Sequence, residues 1–168
     1  MRIPSPELLD VAKILFFTQK TKFMLKNIIT EMESLQKRKQ QILDEERKLL
    51  RPTLTDVALI GNIYDMFLTA MHELHPKVKE LNNTIQRSKF IFIVLYLYSP
   101  ETFCGRKMKR GGIRDKIAKV TGCKKTLISH NCRNVKMYYC VYSDFHSDVD
   151  AVFDKIVRRL EETGKIKR

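Results

Sequence analysis

From Glu7 to Leu50 the chain runs 44 residues without a proline or a glycine. A stretch of that length with no backbone breaker has few alternatives to a helix. Ser5 can cap its start, with Pro6 at the first helical position, where the missing N–H costs nothing. Inside it one series of positions advances by alternating steps of three and four: Val11, Ile14, Thr18, Thr21, Leu25, Ile28, Met32, Leu35, Lys39, Ile42, Glu46 and Leu49. Eight of these twelve are apolar, the seam of an amphipathic helix with coiled-coil character. Unbroken, residues 6–50 would reach roughly 67 Å at about 1.5 Å per residue. That exceeds a compact domain, so the helix either pairs along its length or breaks near Thr18–Thr21. Pairing with a second copy makes it an oligomerisation arm, and pairing with the next helix makes it a hairpin. Periodicity does not name the partner.

The rest of the chain also reads as helix. Only six Gly and five Pro occur in 168 residues, too few turn formers for a sandwich or barrel. Arg51–Pro52 ends the first helix. Thr53, with Asp56 three residues on, resembles a capping box and opens a second helix over about 54–75. Its apolar stripe is Ile60, Ile63, Tyr64, Phe67, Met71 and Leu74. Pro76 stops it, and a third helix is predicted over 77–98. That helix ends in Phe90–Tyr98, FIFIVLYLY, which has the composition of a strand. No second strand is visible to pair with it, and a lone strand leaves its backbone groups unsatisfied, so helix is predicted here too. A glycine-containing connector, 101–112, leads to three shorter helices at about 112–120, 124–140 and 146–162. Asp144 or Ser147 is the expected cap of the last, and the tail TGKIKR reads as frayed. The expected class is all-α. Residues 1–99 form a helical oligomerisation or scaffold region, and residues 100–168 form a second, basic domain.

The formal net charge of +13 is unevenly placed. Residues 1–104 carry 15 basic and 12 acidic side chains, residues 105–136 carry 11 and one, and residues 137–168 carry six of each. A block of +10 in 32 residues is the footprint of a polyanion partner. A purely structural helical adaptor explains residues 1–100 but not this block. Other classes are disfavoured. The four cysteines, at 104, 123, 132 and 140, lack the close pairs that zinc wants. They are expected to be free thiols in a reducing compartment, with Cys123 and Cys132 as small core residues. No metal or cofactor is expected, and no nucleophile sits in a catalytic context. The start of the chain does not read as a secretory leader, since Pro4, Glu7 and Asp10 precede any apolar stretch. The nine-residue apolar run is about half of what a membrane span needs. The expected location is the cytoplasm.

Within the basic block, Arg114 to Arg133 reads RDKIAKVTGCKKTLISHNCR. Ala118 is a small residue where a second helix can cross. Gly122, four positions on, sits where a turn needs positive φ. Ile128, six further, is placed to bury the crossing. This Ala-Gly-Ile spacing resembles that of helix-turn-helix DNA-binding proteins, over about 25 residues, or 35 with the flanking helix. The sequence departs from that pattern twice. Thr121 stands before the turn glycine and Asn131 stands three after Ile128, where the family places apolar residues. Val120 and Cys132 fill those roles if the helices rotate slightly. The wider string from Ser99 to Cys132, followed by a Tyr- and Phe-rich helix, also resembles uncharacterised proteins of phages and mobile elements in gut bacteria.

The helix-turn-helix resemblance implies that the second helix enters the major groove of duplex DNA, N-terminal residues first. Its outward positions are then Lys124, Lys125, Thr126, Ser129, His130 and Arg133, with Lys125, Ser129, His130 and Arg133 facing bases. His130 reads equally well as an exposed histidine with no special role. Ile128 and Leu127 are expected to face the core, Leu127 with the alternative of a thymine methyl. Lys107, Lys109, Arg110 and Arg114 surround Gly111–Gly112 and would hold phosphates, helped by free N–H groups at the start of the first motif helix. Lys136 closes the basic block. Tyr138, Tyr139, Tyr142 and Phe145 read as core packing, with base stacking as the minor alternative. The implied function is that of a transcriptional regulator. A phage genome-packaging or replication factor is the alternative, as is a non-enzymatic helical adaptor or structural protein. The expected partners are double-stranded DNA and, through the N-terminal helices, further copies of the chain.

Overall fold

The structure, a computed structural model, describes residues 6–76, 84–108 and 111–166, and side chains from residue 24 onward among these. All regular elements of the described residues are helical. The chain divides into two units, Met1–Leu49 and Leu50–Arg168.

The first unit is one helix, α1 (Pro6–Leu49). It continues through Thr18–Thr21, where a break was one of the two expectations. Ser5, its expected cap, lies outside the described residues. From residue 24 on, the apolar seam positions Leu25, Ile28, Met32, Leu35, Ile42 and Leu49 are all exposed. The opposite face is stitched along itself: Gln40 Nε2 donates to Asp44 Oδ1 at 3.1 Å, and Arg47 pairs with the same carboxylate at 3.0 Å.

The second unit contains α2 (Ile60–Leu74), α3 (Thr84–Tyr98), α4 (Ile113–Thr121), α5 (Lys125–Val141) and α6 (Ser143–Glu162). Short 3-10 turns at Val57–Leu59 and Pro100–Cys104 precede α2 and follow α3. The FIFIVLYLY run is helical, as predicted, and it explains the architecture. A helix apolar on nearly every side must be covered on nearly every side, and of this run only Tyr96 is left exposed, at 49%. Phe90, Ile91, Ile93, Val94, Leu95, Leu97 and Tyr98 are all buried, and α3 packs against α2, α4, α5 and α6. The β-branched residues that gave the run its strand character are accommodated because packing outweighs local propensity.

This central helix moves the expected domain border. A division after residue 99 would cut α3 from the helices that cover it. The compact unit instead begins at Leu50, so the described residues 50–76 and 84–98 share one core with those of the basic block; residues 77–83, the expected start of the third helix, lie outside the described residues. The entry segment is fastened to α3 at its far end. The backbone N–H groups of Thr53 and Leu54 both donate to Leu97 O at 2.9 Å, and Tyr98 OH donates to Asp56 O at 2.8 Å. The first two bonds satisfy Leu97 O, a carbonyl that a helix end leaves without an intrahelical partner.

Three local expectations are corrected. The expected cap Thr53 is replaced by Asp56, whose carboxylate accepts from Ala58 N at 2.9 Å and caps the 3-10 turn that leads into α2. The last helix starts at Ser143, so neither Asp144 nor Ser147 caps it and Phe145 lies inside it. Its end is not frayed through residue 166. Gly164 takes φ 66°, Lys165 N donates to Leu160 O at 2.8 Å, and Ile166 packs on the core. That is the left-handed closure that orphan carbonyls favour.

Candidate nucleic-acid interface

The helices α4 and α5 are joined by a turn of three residues, Gly122 to Lys124. Gly122 sits at φ 66°, ψ 20°, the left-handed region that the turn reading required. Cys123 N donates to Ala118 O at 3.0 Å, closing the end of α4. Ala118 and Ile128 are both buried. Both residues expected at the crossing are therefore inside the core.

The polar departures resolve in the same register. Thr121 and Asn131 are themselves buried, while Val120 and Cys132 are only half-buried. No rotation occurs. Thr121 returns its hydroxyl to Ile117 O at 2.7 Å, a common way for a threonine to enter a core. Asn131 is less well served, since its Nδ2 has no hydrogen-bond partner among the described residues. Cys123 packs on the core as expected and accepts from Arg87 Nη1 at 3.4 Å. Burial pushes the Cys132 thiol up to about 11, so it is protonated at neutral pH and a poor nucleophile.

The expected site residues divide by environment. Lys107, Arg114, Lys124, Lys125, Thr126, His130, Arg133 and Lys136 are exposed, and Ser129 is half-buried. Lys109 and Arg110 lie outside the described residues. Lys107, Arg114, Ser129, Arg133 and Lys136 line one open groove of about 710 Å³. Residues of the connector form its other wall, including Arg106, which the sequence reading passed over although it stands in the same basic block. Arg114 Nη1 reaches Ser129 Oγ at 3.4 Å across the α4–α5 junction. Lys124, Thr126 and His130 lie outside this groove, on the turn and the outer side of α5.

Two of the lysines are engaged within the chain. Lys125 Nζ pairs with Asp115 Oδ1 at 2.8 Å, the single acid of the basic block. Lys136 Nζ donates to Phe103 O at 2.8 Å and ties the connector to α5. Both contacts are exposed and individually weak. The connector is held from below as well. Phe92 of α3 lies 4.8 Å from the Phe103 ring and stacks on Tyr139 of α5 at 4.4 Å.

One expectation fails on this surface. Leu127 does not face the core: it is 39% exposed. On α5 the buried residues Ile128, Asn131 and Val135 define the inner direction, and Leu127, four residues before Asn131, lies at the margin of that face instead of at its centre. The tyrosines divide. Tyr139 is half-buried, stacked on Phe92, and donates to Asp150 Oδ1 at 2.8 Å. Tyr138 is half-buried beside Phe145, and Tyr142 is exposed.

Both helix starts at this surface are open. Gly112, before α4, takes φ 86°, and neither it nor Lys124, before α5, supplies a side-chain cap. First-turn N–H groups are thus left for solvent or an anion. Among the described residues no group of three or more His, Cys, Asp or Glu side chains could hold a metal ion, and no helix is long and apolar enough to cross a membrane.

No protein family, curated protein or solved structure matches the chain.

Proposed function

We propose that this chain is a non-enzymatic duplex-DNA-binding protein that docks α4 and α5 as a helix-turn-helix, in the role of a transcriptional regulator. The observation that carries the reading is convergence. Lys107 from the connector, Arg114 from α4 and Arg133 from α5 meet at one groove, inside the +10 block and beside the uncapped start of α4. Cationic side chains and free N–H groups converging on one face suit phosphates. The buried Ala118, the left-handed Gly122 and the buried Ile128 support the helix-turn-helix register.

In this reading Lys107 and Arg114 hold the backbone, Lys109 and Arg110 belong to the same stretch, and Lys124 adds charge at the start of α5. Thr126, His130 and Arg133 present the outward face to base edges, with Ser129 at its margin. Lys125 and Lys136 contribute by exchanging their internal partners for phosphate, which is inexpensive for exposed pairs.

The test is fluorescence anisotropy of the full chain with labelled duplex DNA across a salt series. Six phosphate contacts would give a log–log slope of roughly −5. A flat salt response, or a preference for RNA over duplex DNA, overturns the proposal.

A further inference from the structure

The exposed seam of α1 carries information about its partner in its charges. Continued as a heptad, the seam places Leu25, Met32, Lys39 and Glu46 at one core position and Ile28, Leu35, Ile42 and Leu49 at the other. Between residues 25 and 42 five of the six seam side chains are apolar, and each of the five is at least 50% exposed. Flanking them on one side stand Met24, Glu31, Arg38 and Glu45. Among the described residues neither Glu31 nor Arg38 has an ion-pair partner, whereas Asp44 and Arg47 on the far face satisfy each other.

A parallel pair of such helices in register sets identical core residues side by side. Lys39 would meet Lys39 of the second copy, and Glu46 would meet Glu46. Its flanking pairs would join Glu31 to Gln36 and Arg38 to Leu43, neither an attraction. A parallel pair offset by one heptad would relieve the core charges but would not close, and would propagate into a filament.

An antiparallel pair behaves differently, because each core residue then faces the other core position. When Leu25 faces Ile42, Met32 faces Leu35 and Lys39 faces Ile28, the flanking position brings Arg38 against Glu31 of the second copy, twice by symmetry. Shifting this register by one heptad in one direction sets Arg38 against Arg38. Shifting it in the other sets Glu31 against Glu31. Lys39 can reach past Ile28 to water, as long lysine stems do.

We propose that α1 pairs with α1 of a second copy in antiparallel orientation, centred between Glu33 and Ser34. The geometry holds the two Leu49 residues roughly 46 Å apart along the pair, 31 residues at about 1.5 Å each. The inference does not rest on the DNA-binding reading, and its test contains no nucleic acid.

Sedimentation equilibrium of the full chain should give twice the 19.8 kDa monomer mass. Glu31→Lys and Arg38→Glu should each raise the dimer dissociation constant by roughly tenfold, since each turns two weak attractions into repulsions. The double variant E31K/R38E should return to within a few-fold of the parent. Orientation is read by disulfide trapping, with the exposed Cys104 and Cys140 replaced by serine. Leu25→Cys mixed with Ile42→Cys should cross-link to each other and not to themselves. A monomer at all concentrations, a double variant no better than the singles, or self-linked Leu25→Cys each overturns the proposal.

Discussion

Removing the charge of Asp148 should destabilise the second unit more than any surface charge would. Asp148 Oδ2 accepts from Lys89 Nζ at 2.5 Å and contacts His75 Nε2 at 2.9 Å. The Lys89 side chain is only 6% exposed and that of Asp148 only 15%, so the pair lies near the buried extreme. Burial alone would raise the Asp148 carboxyl, but the hydrogen bonds from Lys89 and His75 prevail and hold it below the usual range. Breaking one partner of a buried pair costs about 3–5 kcal/mol, against about 0–1 kcal/mol at the surface. Asp148→Asn keeps an acceptor for the ammonium and loses only the charge, so about 3 kcal/mol is expected. For a unit of roughly 120 residues that is a fall in Tm of about 12 °C. All six tyrosines lie after residue 50, so the tyrosine band of the near-ultraviolet circular dichroism reports this unit without α1. The pH dependence has a definite sign. A carboxyl lowered by folding contributes fully above its unfolded value of about 3.9 and loses that contribution as pH falls through the folded value. The gap between parent and variant should therefore be widest near neutrality and close in acid. Lys89→Met combined with Asp148→Asn should recover most of the loss, since no ammonium is left buried without its counter-charge. A fall below about 4 °C, or a double variant no more stable than Asp148→Asn, would refute the reasoning.

Gly122→Val should cost about 1–3 kcal/mol, as for other strained backbone positions. A Cβ there would meet nothing within 4 Å, so the cost is torsional, and Gly122→Asn should be milder; equal melting temperatures would refute this. Asn131→Leu should stabilise the unit by about 1 kcal/mol by removing a buried amide nitrogen that lacks a partner, checked by urea denaturation, with a lowered midpoint as the contrary outcome. Arg133→Ala should lose about 1–3 kcal/mol on a site selected from random duplexes and much less on scrambled DNA. Lys107→Ala should weaken both equally and reduce the salt slope by about one. Identical losses for both variants on both DNAs would leave a charge clamp without sequence reading.

The elements were legible because each carries a strong local signature. The Pro- and Gly-free run to Leu50, the stripe from Ile60 to Met71 and the apolar residues Val149, Val152, Ile156 and Leu160 at steps of three and four each predict a helix, and each lies in one. Gly122 was legible for a sharper reason, since a turn at that spacing demands a conformation that glycine adopts cheaply. What the sequence hid is relational. The border at Leu50 depends on which helices cover α3, and a run apolar on all sides announces burial without naming its neighbours. Lys125 and Lys136 looked equivalent to Arg133 in charge. Their engagement arises only in three dimensions, Lys125 with Asp115 where α4 meets α5 and Lys136 with Phe103 O where the connector folds back along α5. Leu127 was misassigned because apolar character was weighed above helical phase, although Ile128 beside it already fixed the inward direction.

Asn131 shows why the two kinds of information pull apart at this surface. As a stability choice it is poor, because an apolar residue in its place would bury the crossing of α4 and α5 without an amide nitrogen lacking a partner. A neighbour that only packs has no need of it. Yet it lies on α5 between Ile128 and Val135, within two residues of Ser129, His130 and Arg133 on the outward side. Under the proposed function the same helix serves a core on one face and a polyanion on the other, and its 17 residues leave little length to separate the two demands. A tolerance for local instability is the ordinary signature of a helix whose exposed face is under a second constraint. If Asn131→Leu stabilises the fold while leaving DNA affinity unchanged, that second constraint does not reach residue 131. If it stabilises the fold and weakens binding, the orientation of α5 is part of how the surface meets its partner.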